Sequence, residues 1–221
     1  MELTTIQTIA MWVLPVLFAL TVHEVAHGYV AYLLGDKTAR ILGRLTLNPS
    51  KHIDIFGTIL VPAILLLLKS GVIFGWARPV PIDTRNLRHP RRDFALISLA
   101  GPMANLIMAI IWAAIAKGGM ILLIFNMPGA FAVQMIGMAG VNINLMLMVL
   151  NLLPIPQLDG GHILASLLPH SIAVYYERLT PYGFYIFLAL LALGAIDFIM
   201  RPVTSFLLFL IHAVFNLPLQ L

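Results

Sequence analysis

Between Ile6 and Leu34 the chain holds a nearly unbroken apolar run, long enough to cross a bilayer at about 20 residues per span. Similar runs recur almost to its end. Of 221 residues, 61% are hydrophobic and only 10% charged, with a mean hydropathy of +0.98. That is more apolar surface than one water-soluble core can bury. The sequence therefore predicts an all-α polytopic membrane protein, since lipid offers backbone polar groups no partner outside a helix or a closed barrel.

The absence of cysteine excludes disulfides, thiolate zinc sites, iron–sulfur clusters and cysteine nucleophiles. Any metal must be held by His, Asp or Glu. The net charge of +4, from 13 Lys+Arg against 9 Asp+Glu, reads as membrane topology and gives no reason to expect a nucleic-acid partner. The start, Met1-Glu2-Leu3-Thr4-Thr5, lacks the basic opening of a secretory signal, so the first span is expected to be retained. No linker, charge block or repeat divides the chain, and one domain over 1–221 is expected.

Four to five crossings are expected, with the N-terminus outside. Lys37, Arg40, Arg44 and Lys51 place the loop after the first span in the cytoplasm. The next apolar segment, Ile53 to Phe74, is followed by Arg78, Arg85, Arg88, Arg91 and Arg92. Two basic flanks cannot both be cytoplasmic around a single crossing, so this segment is expected to be re-entrant and to line a cavity. Further segments are expected over Phe94 to Ala116, Ala130 to Leu153, Tyr182 to Met200 and Pro202 to Phe215, with a short helix over Gly160 to Leu168. Ala39 to Leu47 and Trp76 to Ile82 read as short extended, strand-like loops on the cytoplasmic side, and their arginines suit anionic membrane lipid.

Inside the first span sits His23-Glu24-Val25-Ala26-His27. At a helical spacing of four, both imidazoles project from one face, so two nitrogens can bind one zinc with Glu24 beside the open position. With 7 His and 3 Glu in 221 residues, a shuffled chain would give this pattern about 0.003 times. The plainer alternative, a pair of core histidines around a carboxylate, must meet roughly 2.5 to 3.5 kcal/mol per ionisable group near the bilayer centre. A divalent cation removes that difficulty.

A catalytic zinc usually takes a third protein ligand. The best candidate is Asp159, in Asn151-Leu152-Leu153-Pro154-Ile155-Pro156-Gln157-Leu158-Asp159-Gly160-Gly161, where prolines and glycines fix a break at the end of an apolar helix. Asp54, Asp83, Asp93, Glu177 and Asp197 compete, each in a basic loop or at a helix end where a solvated charge is ordinary. His162 reads as a turn residue, His52, His89 and His170 as loop histidines, and His212 as buried or interfacial.

The pairing of His-Glu-x-x-His in a membrane helix with a distant Asn-x-x-Pro-x-Pro-x-x-Asp-Gly-Gly resembles the site-2 proteases, intramembrane zinc metalloproteases. Ala100-Gly101-Pro102-Met103-Ala104-Asn105 is similar to that family's Ala-Gly-Pro-x-x-Asn helix. The resemblance runs from His23 through Gly161. It implies that His23, His27 and Asp159 bind one Zn2+, that Glu24 is the general base and that Asn151 lies near the substrate carbonyl. It also implies a transmembrane protein substrate. No segment resembles the PDZ or CBS domains of larger members.

The rival reading is a non-proteolytic metal-binding membrane protein, such as a transporter using buried His and Asp as a permeation site. Glu24 separates the two, since a protease altered to glutamine there keeps its metal and loses hydrolysis. Serine or aspartyl intramembrane proteolysis fits poorly. Ser98, Ser166 and Ser171 lack a glycine-framed setting, and Asp197 has no evident partner carboxylate.

Overall fold

The apolar runs become helices in the computed structural model, which describes residues 5–67 and 75–217. The first, α1 (Thr5–Leu33), keeps its course through the buried Pro15. Proline is tolerated inside membrane helices because neighbouring groups re-satisfy the freed carbonyl. At its end the Asp36 N–H bonds Ala31 O at 2.9 Å and the Gly35 N–H bonds Tyr32 O at 3.3 Å. Gly35, at φ +118°, supplies the backbone conformation that this stop requires.

After α1 come α2 (Thr38–Ile41), a 3-10 turn at Pro49–Lys51, a π-helical turn at Ile55–Leu60 and α3 (Val61–Leu67). Residues 75–83 have no regular secondary structure and lead to a 3-10 turn at Thr84–Asn86. Then follow α4 (Pro90–Ile124), α5 (Ala130–Asn151), α6 (Asp159–Leu167), α7 (His170–Glu177), a 3-10 turn at Thr180–Tyr182, α8 (Gly183–Ala192) and α9 (Ala195–Phe215). Among the described residues four helices, in α1, α4, α5 and α9, are long and apolar enough to cross a membrane. The all-helical expectation holds, and no strand occurs among the described residues. Ala39–Leu47 begins as a helical turn. Residues 68–74, where the expected re-entrant segment would turn back, lie outside the described residues.

Two boundaries differ from expectation, for physical reasons. α4 does not stop at Ala116 but continues through Lys117-Gly118-Gly119 to Ile124. Gly119 acts there as a contact residue, because a Cβ would run into the backbone of Gln134. The last apolar stretch divides at Gly194, φ +70°, and Pro202 lies inside α9. Consequently α8 has only 10 residues, about 15 Å of helix, too short to span a bilayer.

The chain forms two compact units, Leu20–Gly101 and the remainder, with boundaries inside α1 and α4. In the first, Ala31, Leu87 and Ile97 form a buried cluster under Val30, Leu34, Ile82 and Phe94. In the second, α5 packs on α9, α9 on α8 and α6 on α7. Close approach of α4 to α5 depends on small residues. A Cβ on Gly137 would come within 2.6 Å of the Ala116 Cα, and one on Gly140 would overlap the Trp112 ring. Asn105 and Asn144, both fully buried, are joined by a 3.0 Å bond from Asn105 Nδ2 to Asn144 Oδ1, as expected for polar groups between membrane helices.

Candidate functional site

Within Leu20–Gly101, one turn of α1 carries His23, Glu24 and His27, and both histidines are buried. The helical spacing brings His23 Nε2 to 3.0 Å from His27 Nε2, with the rings 4.6 Å apart and nearly perpendicular. Two nitrogens bound tetrahedrally to one zinc at about 2.0–2.1 Å lie roughly 3.3 Å apart, so the pair is already close to ligand geometry. His27 Nδ1 lies 2.7 Å from the Ile97 carbonyl oxygen. Donating its proton there leaves Nε2 as the lone-pair nitrogen, the arrangement by which an outer partner fixes a metal-binding tautomer.

Space for this pair depends on Gly101. A Cβ there would overlap His27 Nε2 and lie 2.6 Å from His23 Cε1. The Ala-Gly-Pro segment therefore presents bare backbone to the imidazoles. Farther along α4, Asn105 Nδ2 donates to Ala19 O at 3.2 Å as well as to Asn144.

Glu24 does not reach for another side chain. Its Oε2 accepts the backbone N–H of Val80 at 2.8 Å. Val80 is buried and lies in the irregular stretch 75–83. Gly28, one turn along α1 from Glu24, provides the room, since a Cβ there would come 2.9 Å from Val80 Cγ1 and 3.1 Å from Leu45 Cδ1. The stretch is tied down along its length. Trp76 N–H donates to Gly57 O at 3.1 Å and Arg78 N–H to His52 O at 2.8 Å. Arg44 Nη2 donates to the carbonyls of Arg78 and Pro79, at 2.9 and 3.2 Å.

The far end of this stretch is held by Asp36, which sequence reading did not single out. Nearly fully buried, it accepts from Thr38 N, Asp83 N and Asn86 Nδ2 at 3.0, 2.8 and 2.9 Å. Burial alone would raise its pKa, but hydrogen bonds from Thr38, Asn86 and the Asp83 amide outweigh that and hold the carboxyl below its ordinary range. Two other readings need correction. His52 is buried rather than an exposed loop histidine, with Nε2 at 2.9 Å from Thr46 O. Asp93 is buried too, accepting the His89 N–H at 2.8 Å as a cap on α4.

Asn151 and Asp159 belong to the other unit. Asn151 ends α5, with Nδ2 donating to Leu147 O at 2.9 Å. Asp159 opens α6 after a loop in which Gln157 takes φ +80°, a strained conformation for a residue with a side chain. That loop is fixed through its backbone. A Cβ on Gly160 would overlap the Leu152 carbonyl, and one on Gly161 would overlap that of Ile155, while Tyr176 OH donates to Pro154 O at 3.0 Å. The Pro-x-Pro-x-x-Asp-Gly-Gly pattern thus encodes a rigid main-chain turn. His162 sits in the first turn of α6 rather than in a loop.

Comparison with known proteins adds an independent line. Peptidase family M50 matches residues 11–133 and 117–194. A Bacillus subtilis protein, YwhC, provisionally designated a zinc metalloprotease, is 38% identical over 203 residues, covering 87% of this chain and 85% of its own. Rip2 of Mycolicibacterium smegmatis, with the same provisional designation, is 33% identical over 185 residues, 82% of this chain and 66% of its own. Rip2 of Mycobacterium tuberculosis H37Rv is 34% identical over 166 residues, 75% of this chain and 57% of its own. The chain thus spans two thirds or less of these mycobacterial relatives. No solved structure matches it.

Proposed function

Because the chain belongs to peptidase family M50, the site-2 protease family, we propose that it is a zinc-dependent endopeptidase that hydrolyses peptide bonds in or near the transmembrane segments of single-span proteins. The observation that carries this reading is the buried His23–His27 pair, with converging Nε2 atoms and an outer partner on His27 Nδ1. A donor set of two neutral imidazoles suits zinc. His23, His27 and Asp159 are the proposed ligands of one Zn2+ per chain. The entire chain, 1–221, is proposed to act as one membrane-embedded protease domain with its active site towards the cytoplasm of a bacterial or archaeal cell. Ile53–Phe74 is proposed to enter the membrane and return, giving water and substrate a route.

Zinc, when bound, acidifies a water molecule and polarises the scissile carbonyl. Glu24 is the group that accepts the proton of the attacking water and passes it to the departing amide nitrogen, so no acyl-enzyme is needed. Asn151 is proposed to turn from Leu147 O and donate to the carbonyl oxygen as negative charge develops there.

The test is cleavage of a membrane-embedded substrate by wild type and Glu24→Gln in proteoliposomes, with zinc measured in both. Glu24→Gln is expected to retain about one zinc per chain and to lose hydrolysis. Undiminished cleavage by the zinc-loaded variant would remove Glu24 from the mechanism and with it the proposal.

A further inference from the structure

Glu24 accepts its hydrogen bond from the middle of Arg78-Pro79-Val80-Pro81. Prolines have no N–H and a fixed φ, so between residues 79 and 81 the Val80 amide is the sole backbone donor. The donors at 76, 78 and 80 go in turn to Gly57 O, His52 O and Glu24 Oε2. The glutamate is thus the third acceptor in this series, and the one that is a side chain. Arg44 bridges the carbonyls of Arg78 and Pro79, and the Val80 side chain sits in the notch left by Gly28.

We propose that Pro79-Val80-Pro81 is a rigid arm that positions the Glu24 carboxylate, with the Val80 N–H as its contact and Arg44 as its clamp. This rests on the reading of Glu24 as the general base. A carboxylate has two acceptor oxygens; holding Oε2 on a fixed donor fixes the direction of the other. A glutamate on a helix otherwise has three rotatable side-chain bonds and a polar backbone nearby to bind in unproductive ways. Positioning matters steeply, since a displacement of about 1 Å can lower a rate roughly 100-fold. The same logic explains an unusual composition: two prolines stiffen the arm and also remove every competing amide beside Val80. Val80 and Arg44 are positioning residues, not catalytic ones.

The inference has a readout that needs neither metal nor activity. Labelling proline carbonyl carbon with 13C and valine nitrogen with 15N selects the Pro-Val amides, which in this chain are those of Val16, Val80 and Val203. In metal-free protein in detergent, Glu24→Gln is expected to shift the Val80 amide proton, because the carboxyl acceptor is replaced by a carboxamide. Val16 and Val203 should stay in place. Val80→Ala, which keeps the N–H, assigns the resonance by its disappearance. In the cleavage assay Val80→Pro is expected to lower kcat about 10- to 100-fold with KM changed less than about twofold. Val80→Ala, which keeps the N–H but loses the side chain seated against Gly28, is expected to lower kcat less than Val80→Pro does, as is Arg44→Met.

An unmoved Val80 amide in Glu24→Gln overturns the inference, as does wild-type or increased kcat in Val80→Pro. An increase would mean that the bond restrains the base rather than orienting it. Should Val80→Pro fail to fold, the amide shift still decides. If instead the Val80 amide moves while zinc-loaded Glu24→Gln still cleaves, the arm stands and the general-base reading fails.

Discussion

In Leu20–Gly101 carboxylates hold backbone amides: Glu24 takes Val80 N, Asp36 takes Thr38 N and Asp83 N, Asp54 takes Gly57 N, Asp83 takes Arg85 N and Asp93 takes His89 N. In residues 5–19 and 102–217 the corresponding work falls to small residues that let helices touch, at Gly119, Gly137 and Gly140. The contrast has a physical origin. A helix satisfies its own backbone, so a helical unit needs only shape; irregular backbone must find each amide a partner. An aspartate fixed at a chain reversal can serve two amides at once. The irregular backbone of Leu20–Gly101 is where these carboxylates find amides to hold.

Substitutions that attack shape or satisfaction should therefore separate the two regions. The largest effect is expected from Gly137→Val, whose Cβ would lie 2.5 Å from the Ala116 backbone nitrogen. Backbone cannot yield as a flexible side chain can, so destabilisation of about 3 kcal/mol or more is expected in detergent unfolding. A near-neutral result would show that α4 and α5 are loosely fitted and that the contrast is overdrawn. Next comes Asp36→Ala, which strands the amides of Thr38 and Asp83 and the Asn86 side chain. A loss of about 2 kcal/mol is expected, together with faster amide exchange at Asp83.

Acid should act on the same residue. The folded-state pKa of Asp36 lies below its unfolded value of 3.8, so its contribution is fully present above pH 3.8 and disappears as pH falls through the folded pKa. Wild type is expected to lose stability on acidification across that window, and Asp36→Asn to show a flatter dependence. An identical slope in both would assign the acid response elsewhere. Asp83, whose carboxyl Arg85 also holds below its ordinary range, pairs with an exposed guanidinium and should contribute little.

How much of this the sequence disclosed follows from what residue types encode. Four spans were legible because hydropathy over about 20 residues is a property of composition. His23, Glu24 and His27 were legible because helical spacing alone places them on one turn. Break points were less so: Pro202 read as the start of the last helix, after a span over Tyr182 to Met200, yet membrane context tolerates it inside α9, and the break fell at Gly194, where positive φ is needed. The partners of the site were hidden for a different reason. Ile97 O and Val80 N are backbone atoms, which every residue carries, and only tertiary structure selects them. The one available hint was negative, namely that prolines on both sides leave Val80 as the lone donor. Asp36 gave no signal in the sequence because one of the amides it serves lies 47 residues away.

The smallest expected effect tests whether the glycine-packed unit also depends on polar satisfaction. Asn105 Nδ2 donates to Ala19 O and to Asn144 Oδ1, and Asn144 Nδ2 donates to Gly140 O at 2.8 Å. Interhelical bonds of this kind average about 0.6 kcal/mol in membrane proteins, with a maximum near 1.7 kcal/mol, so Asn105→Ala should cost about 1 kcal/mol. Replacing both asparagines by leucine removes donor and acceptor together and should cost less than the two single changes summed. A double-mutant cycle in detergent measures that coupling. If it were as large as the Asp36 effect, buried polar bonds would govern both regions alike, and shape would lose its claim to be what holds the helical one.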